Sequence, residues 1–261
     1  MLSKLLKRDL KKNMSWMWIL FVATIGIAFI TRGTMELGKN VAFFKVVGIF
    51  LEGVFYGLAV NLVIQPFLRN FLNFHKSFYS DESYLTHTLP VSKNQLINSK
   101  YLTAIIEIVS GFITLVASIL IMYAGPNFAD SLRLIISTAV DGRFSLAAAI
   151  ILVVVLIVVE FLMFISIIDF SIIIGFKSKD RRILKTFLIT LGISFASLAV
   201  LFVVMLIILS IFDVKLTSTT LLLSSSAFYS VLAAGIVVYS SVIVLFYFLT
   251  KKEFNKGVNI D

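Results

Sequence analysis

Apolar and polar positions along this chain segregate into long blocks, not into the short periodic runs of a soluble fold. Six apolar blocks stand out, at about Met14–Thr31, Val41–Gln65, Tyr101–Ala124, Phe144–Phe176, Phe187–Phe212 and Leu221–Thr250. The hydrocarbon core of a bilayer is ~30 Å thick and a helix rises ~1.5 Å per residue, so an apolar run of about 18 residues or more reads as a spanning helix. All six blocks meet that length. The fourth and the last exceed it, which predicts tilt or projection beyond the bilayer.

Ahead of the first block, Leu2, Leu5, Leu6 and Leu10 share one helical face, with Lys4, Lys7, Arg8 and Lys11 elsewhere. That pattern predicts an interfacial amphipathic helix over residues 1–13. A basic stretch followed by apolar Trp16–Ile30 also resembles a signal peptide, but Thr31-Arg32-Gly33 fits a cleavage site poorly, so the segment reads as a retained first helix. The expected fold is an all-α polytopic membrane protein. It has six transmembrane helices in one domain, residues 1–261, with no internal repeat and no soluble domain.

Composition and charge sharpen this picture. The chain is 59% hydrophobic and 14% charged, against roughly 25% charged in ordinary soluble domains. Its net charge of +9 lies between the apolar blocks, which points to a membrane and not to nucleic acid. Connections on one side carry 17 Lys and Arg, those on the other side five, and Lys45 falls inside a block. The positive-inside rule then places both termini in the cytoplasm, and an even number of spans agrees by keeping them on one side. The absence of cysteine excludes disulfides and thiolate metal sites.

The largest polar stretch is the cytoplasmic connection over residues 66–100. Ser80 suits an N-cap, and Asp81 and Glu82 suit a first helical turn. Pro90 disfavours helix at Leu89, so the element is short. Ser92 with Gln95 forms a capping box that starts the next helix, which runs through Lys100 into span three. The short element presents Tyr84, Leu85 and Leu89 outside the apolar blocks. Such an apolar knob suggests a protein partner; packing on its own bundle is the alternative.

The run Asp81-Glu82-Ser83-Tyr84-Leu85-Thr86-His87-Thr88-Leu89-Pro90-Val91-Ser92 resembles the loop between spans two and three of bacterial type 2 ATP-binding cassette permeases. The layout of a basic amphipathic start, six spans and cytoplasmic termini is similar as well. The resemblance implies a coupling helix seated in a groove of a separate ATPase subunit, with Asp81, Glu82, Tyr84, Leu85, Thr86, Leu89 and Pro90 in the contact region. It also implies a second permease copy or a paralogue, and a bacterial cell membrane as the location. No Gly-x-x-x-x-Gly-Lys-[Ser/Thr] loop occurs in the chain, and Gly175-Phe176-Lys177-Ser178 lacks a glycine-rich cradle. ATP and magnesium would therefore belong to the partner, and the chain itself is expected to hold no cofactor and perform no catalysis.

Lys45, Glu52, Glu107, Glu160 and Asp169 interrupt apolar blocks. Charged groups at such depth are costly and usually face a bundle interior or water. Lys45 is expected to snorkel outward. The four acids are candidates to line a substrate path, with Glu52 and Glu160 near mid-span and Glu107 and Asp169 nearer the cytoplasm; helix packing is the simpler role. Gly53 with Gly57, and the stripe Ser226, Ser230 and Ala234, permit close helix contact, within the chain or across a dimer seam. His75 and His87 lack the spacing and company of a metal site. Two functions follow as expectations. The first is an exporter permease for amphipathic or antimicrobial-type peptides, or for drugs or lipids. The second is an ion-coupled secondary transporter that uses the intramembrane acids.

Overall fold

A computed structural model describes residues 2–79, 91–138, 140–141, 143–178, 181–212 and 223–256. Among them are seven helices: α1 (Leu2–Gly38), α2 (Ala42–Tyr79), α3 (Lys93–Tyr123), α4 (Phe128–Ser137), α5 (Leu146–Phe176), α6 (Arg182–Ile211) and α7 (Ser225–Asn255). Six of these, all but α4, are long and apolar enough to cross a membrane. The chain is a polytopic all-α membrane protein.

The packing explains why hydrocarbon has to surround it. Helix α6 buries only Thr186 and Ser197 and leaves apolar side chains such as Phe195 and Phe202 more than 60% exposed. Phe50 on α2 and Phe248 on α7 are exposed to a similar degree. The apolar surface faces outward and several polar groups face inward, which only a lipid solvent makes favourable.

Two compact units divide the chain at Pro126. In the first, α1 packs against both α2 and α3. Its buried side chains recur about every fourth residue, through Leu5, Asp9, Asn13, Met17, Phe21, Thr24, Ala28 and Thr31. Met17 and Phe21 meet Leu62 in one apolar layer, and Ala28 meets Phe55 and Met122 in another. The amphipathic start is helical as its pattern predicts, and it continues without a break into the first span.

Helix α2 does not end where its apolar block ends. It runs through Pro66, which is buried, and on to Tyr79. A proline inside a helix leaves the carbonyl four residues earlier without its usual donor. Here that carbonyl belongs to Leu62. It faces Gly111 of α3 so closely that a Cβ on Gly111 would stand 3.3 Å from the oxygen. At the start of α3 the Ser92 side chain accepts a hydrogen bond from the Gln95 backbone N–H, as the capping box predicts.

In the second unit α5 packs against α6 and α7. Met163 and Ile167 of α5 bury against Tyr239 of α7, with Ile193 and Leu201 of α6 around them. Val140–Asp141 and Leu223–Ser224 pair as a two-residue parallel bridge. Tyr229 accepts from the Ser145 N–H at 3.0 Å and donates to the Ser145 carbonyl at 3.1 Å, which fixes the start of α5 against α7. Helix α4, between the third and fourth apolar blocks, buries none of its residues.

Candidate functional site

The densest polar construction lies in the first unit, where α1, α2 and α3 meet. Asp9 is 5% exposed and stands at its centre. Its Oδ2 accepts from the Ser99 hydroxyl at 2.9 Å and lies 3.2 Å from the Lys100 ammonium. Its Oδ1 pairs with the Arg8 guanidinium at 3.3 Å. One helical turn on, the Asn13 side-chain carbonyl accepts from Asn73 Nδ2, and its backbone carbonyl accepts from Arg69 Nη1, both at 2.7 Å. Arg69 Nε also donates to Gln65 Oε1. Helix α1 is thereby tied to α3 through Asp9 and to α2 through Asn13.

Glu107 belongs to the same neighbourhood. It is fully buried, and neither carboxylate oxygen has a hydrogen bond within accepted geometry among the described residues. The polar and charged groups that act on it are Asn13, Arg69, Lys100 and Asp9. A buried carboxyl with so little compensation is costly, and such groups mark strain or function.

The other path-lining candidate of this unit sits elsewhere. Glu52 Oε1 accepts from the Tyr56 hydroxyl at 2.9 Å and from the Tyr123 hydroxyl at 2.6 Å. Tyr123 is the last residue of α3, sixteen residues after Glu107; at ~1.5 Å per residue this is about 24 Å of axial rise. Glu52 therefore lies well apart from Glu107 along the unit, and the fold does not bring the two together. Arg32 donates to the Ile121 carbonyl at 2.8 Å, at the same end of α3 as Tyr123.

In the second unit Asp169 is fully buried on α5. Glu160, on the same helix, is half-buried and feels Tyr239. Beyond the apolar block of α7, Glu253 joins Lys177 at 2.5 Å and Lys256 at 2.6 Å, which ties the ends of α5 and α7. Both lysines hold its carboxyl down, from an ordinary 4.5 to about 2.

The predicted coupling residues Asp81, Glu82, Tyr84, Leu85, Thr86, Leu89 and Pro90, and with them His87, lie outside the described residues. Lys45 is exposed, in keeping with snorkelling. Gly53 and Gly57 are exposed, and a Cβ on either would meet nothing within 4 Å, so this pair makes no close contact inside the described chain. On α7 the inward positions are Ala227, Leu232, Gly235 and Tyr239; Ser226 is exposed, and Ser230 and Ala234 are half-buried beside them. Two glycines of this unit do pack closely: a Cβ on Gly235 would stand 2.8 Å from Leu156 Cδ1, the end of a flexible side chain, and Gly175 lies against backbone. A Cβ on Gly175 would collide with the Thr186 hydroxyl and stand 2.9 Å from the Thr186 nitrogen.

Asp9, Asn13, Arg69 and Asn73 are the functional candidates that patterning alone missed. An acid one turn before an asparagine, on the buried face of a basic helix, was the available signal. One sequence likeness is dispelled by the structure. Gly33-Thr34-Met35-Glu36-Leu37-Gly38-Lys39-Asn40 matches three of the four fixed residues of a phosphate-binding loop, but Gly33–Gly38 is the helical end of α1 and Asn40 replaces the required hydroxyl. The chain matches no protein-family model, and no curated protein or solved structure is significantly similar to it.

Proposed function

We propose that this chain is the permease subunit of an ATP-driven exporter, with a separate ATPase docking on residues 81–90. In this reading both termini are cytoplasmic, the membrane is the bacterial cell membrane, and a second copy or a paralogue completes the pathway. The supporting observation is the brace around Asp9 and Asn13. Helices α2 and α3 flank residues 80–90 and extend past their apolar blocks. Both are bonded to α1 at that end. A displacement applied between them would move three helices as one body, which is what transmission by rigid-body motion needs. Amphipathic cationic peptides are the substrates that intramembrane carboxylates such as Glu52 and Glu160 would suit.

Co-purification of the full chain with an ATP-binding cassette ATPase subunit tests the docking. Tyr84→Asp should abolish the complex, and an intact complex would remove residues 81–90 from the interface. Glu52→Gln and Glu160→Gln should impair export while leaving the complex assembled; unchanged export in both would remove the path-lining role.

The ion-coupled reading draws on one observation, the nearly uncompensated Glu107 within a charged cluster. It predicts transport that survives without any ATPase and stops when the proton gradient is collapsed.

A further inference from the structure

Between α1 and α2, at the end where α1 begins and α2 finishes, lies an open groove of about 490 Å³. Its charged lining is wholly basic, from Lys12, Arg69 and Lys76. Asn13 and Asn73 add amide groups. Among the described residues, the buried acids of this unit are engaged elsewhere: Asp9 by Ser99, Lys100 and Arg8, and Glu107 inside the unit.

Arg69 is held in place for a ligand. Its Nη1 donates to the Asn13 carbonyl, its Nε donates to Gln65, and its guanidinium carbon lies 5.9 Å from the centre of the Trp16 ring. A guanidinium fixed in this way suits the planar, multidentate recognition of a phosphate.

Apart from Gln65, which holds Arg69, the rest of the lining is apolar and outward-facing. Trp16 is 63% exposed, Leu68 54% and Leu72 50%. The groove sits just past Gln65, where the apolar block of α2 gives way to polar sequence. Tryptophan favours this interfacial level, and clustered Lys and Arg there attract anionic headgroups. A soluble anion would use the charge and leave the apolar wall without a partner. A lipid uses both.

We propose that this groove is a binding site for an anionic phospholipid, with the phosphate between Lys12, Arg69 and Lys76 and an acyl chain along Leu68 and Leu72. The site is independent of any ATPase and of the exporter reading.

Binding of phosphatidylglycerol and phosphatidylcholine to the purified full chain in detergent, followed by native mass spectrometry and thermal unfolding, tests it. Arg69→Gln would also break the link to Asn13, so the deciding variant is Lys12→Gln with Lys76→Gln. It should weaken phosphatidylglycerol binding by about tenfold or more. Lys4→Gln with Lys7→Gln removes the same charge from α1 outside the groove and should change binding by about twofold at most. An equal loss in both pairs, or none in the first, would overturn the proposal in favour of diffuse attraction. Equal binding of phosphatidylcholine would overturn it as well. Protection of the wild-type chain by millimolar inorganic phosphate as strong as that by phosphatidylglycerol would overturn the assignment to lipid.

Discussion

The Lys100 ammonium and the Asp9 carboxylate stand 3.2 Å apart with side chains 11% and 7% exposed, a buried ion pair that ties α3 to α1. Removing one partner of such a pair strands a charge, whereas replacing both can be neutral. Asp9→Leu should therefore destabilise the chain by about 3 kcal/mol. Asp9→Leu with Lys100→Met should recover most of that loss. Arg8→Ala, at a side chain 54% exposed, should cost under about 1 kcal/mol. Thermal unfolding of the wild type and the three variants in one detergent makes the comparison, and equal losses for Asp9→Leu and the double variant would refute the pairing.

Glu107 offers a test with the opposite sign. Its buried carboxyl has almost no hydrogen-bond compensation, so an apolar side chain of similar length should be preferred there. Glu107→Met is expected to stabilise the chain by about 1 kcal/mol or more. If the carboxyl serves transport, that gain in unfolding temperature will accompany a loss of transport, as is usual where a site holds unfavourable chemistry for function. Lower stability in the variant would show that the carboxyl is compensated after all.

The spans were legible because membrane helices declare themselves by length and hydropathy alone. What the pattern could not convey was which polar residues face inward. Asp9 sits among five basic residues of the N-terminal segment and looks like part of a solvated face; only the positions of Ser99 and Lys100, some ninety residues away, make it buried. Pro66 reads as a terminator, but its cost is local, and close contact with Gly111 allows the helix to continue. Gly53 and Gly57 carry a packing motif that the described chain leaves open, while Gly175, four residues after Ser171, presses on the Thr186 backbone. A glycine pair shows that helices could approach, and says nothing of whether a partner stands opposite.

That contrast gives a third prediction. At Gly175 a methyl group would press on the Thr186 backbone, which cannot swing aside. Gly175→Ala should cost about 2 kcal/mol, in the range of overpacked cores. Gly53→Ala and Gly57→Ala meet open space and should leave the unfolding temperature unchanged or slightly raised, because alanine favours helix over glycine by roughly 0.5–1 kcal/mol. If these two glycines form a seam with a second copy, the same substitutions will weaken self-association by cross-linking or light scattering. Unaltered association would take the seam away from this face.

Glu253 supplies the pH dependence. It lies past Thr250, beyond the apolar block of α7, among Lys251, Lys252 and Lys256, and hydrogen bonds from Lys177 and Lys256 lower its pKa from 4.5 to about 2. A carboxyl with a depressed folded-state pKa stabilises the fold fully above its unfolded pKa and loses that contribution as the pH falls through the folded value. The link between the ends of α5 and α7 should therefore be intact at neutral pH, weaken below about pH 4.5, and be lost near pH 2. Glu253→Gln keeps the shape and removes the charge. It should lower the unfolding temperature at pH 7, and the gap from the wild type should close on acidification across that window. A gap that widens toward low pH would mean that the carboxylate is repelled in the fold and that Lys177 and Lys256 do not hold it.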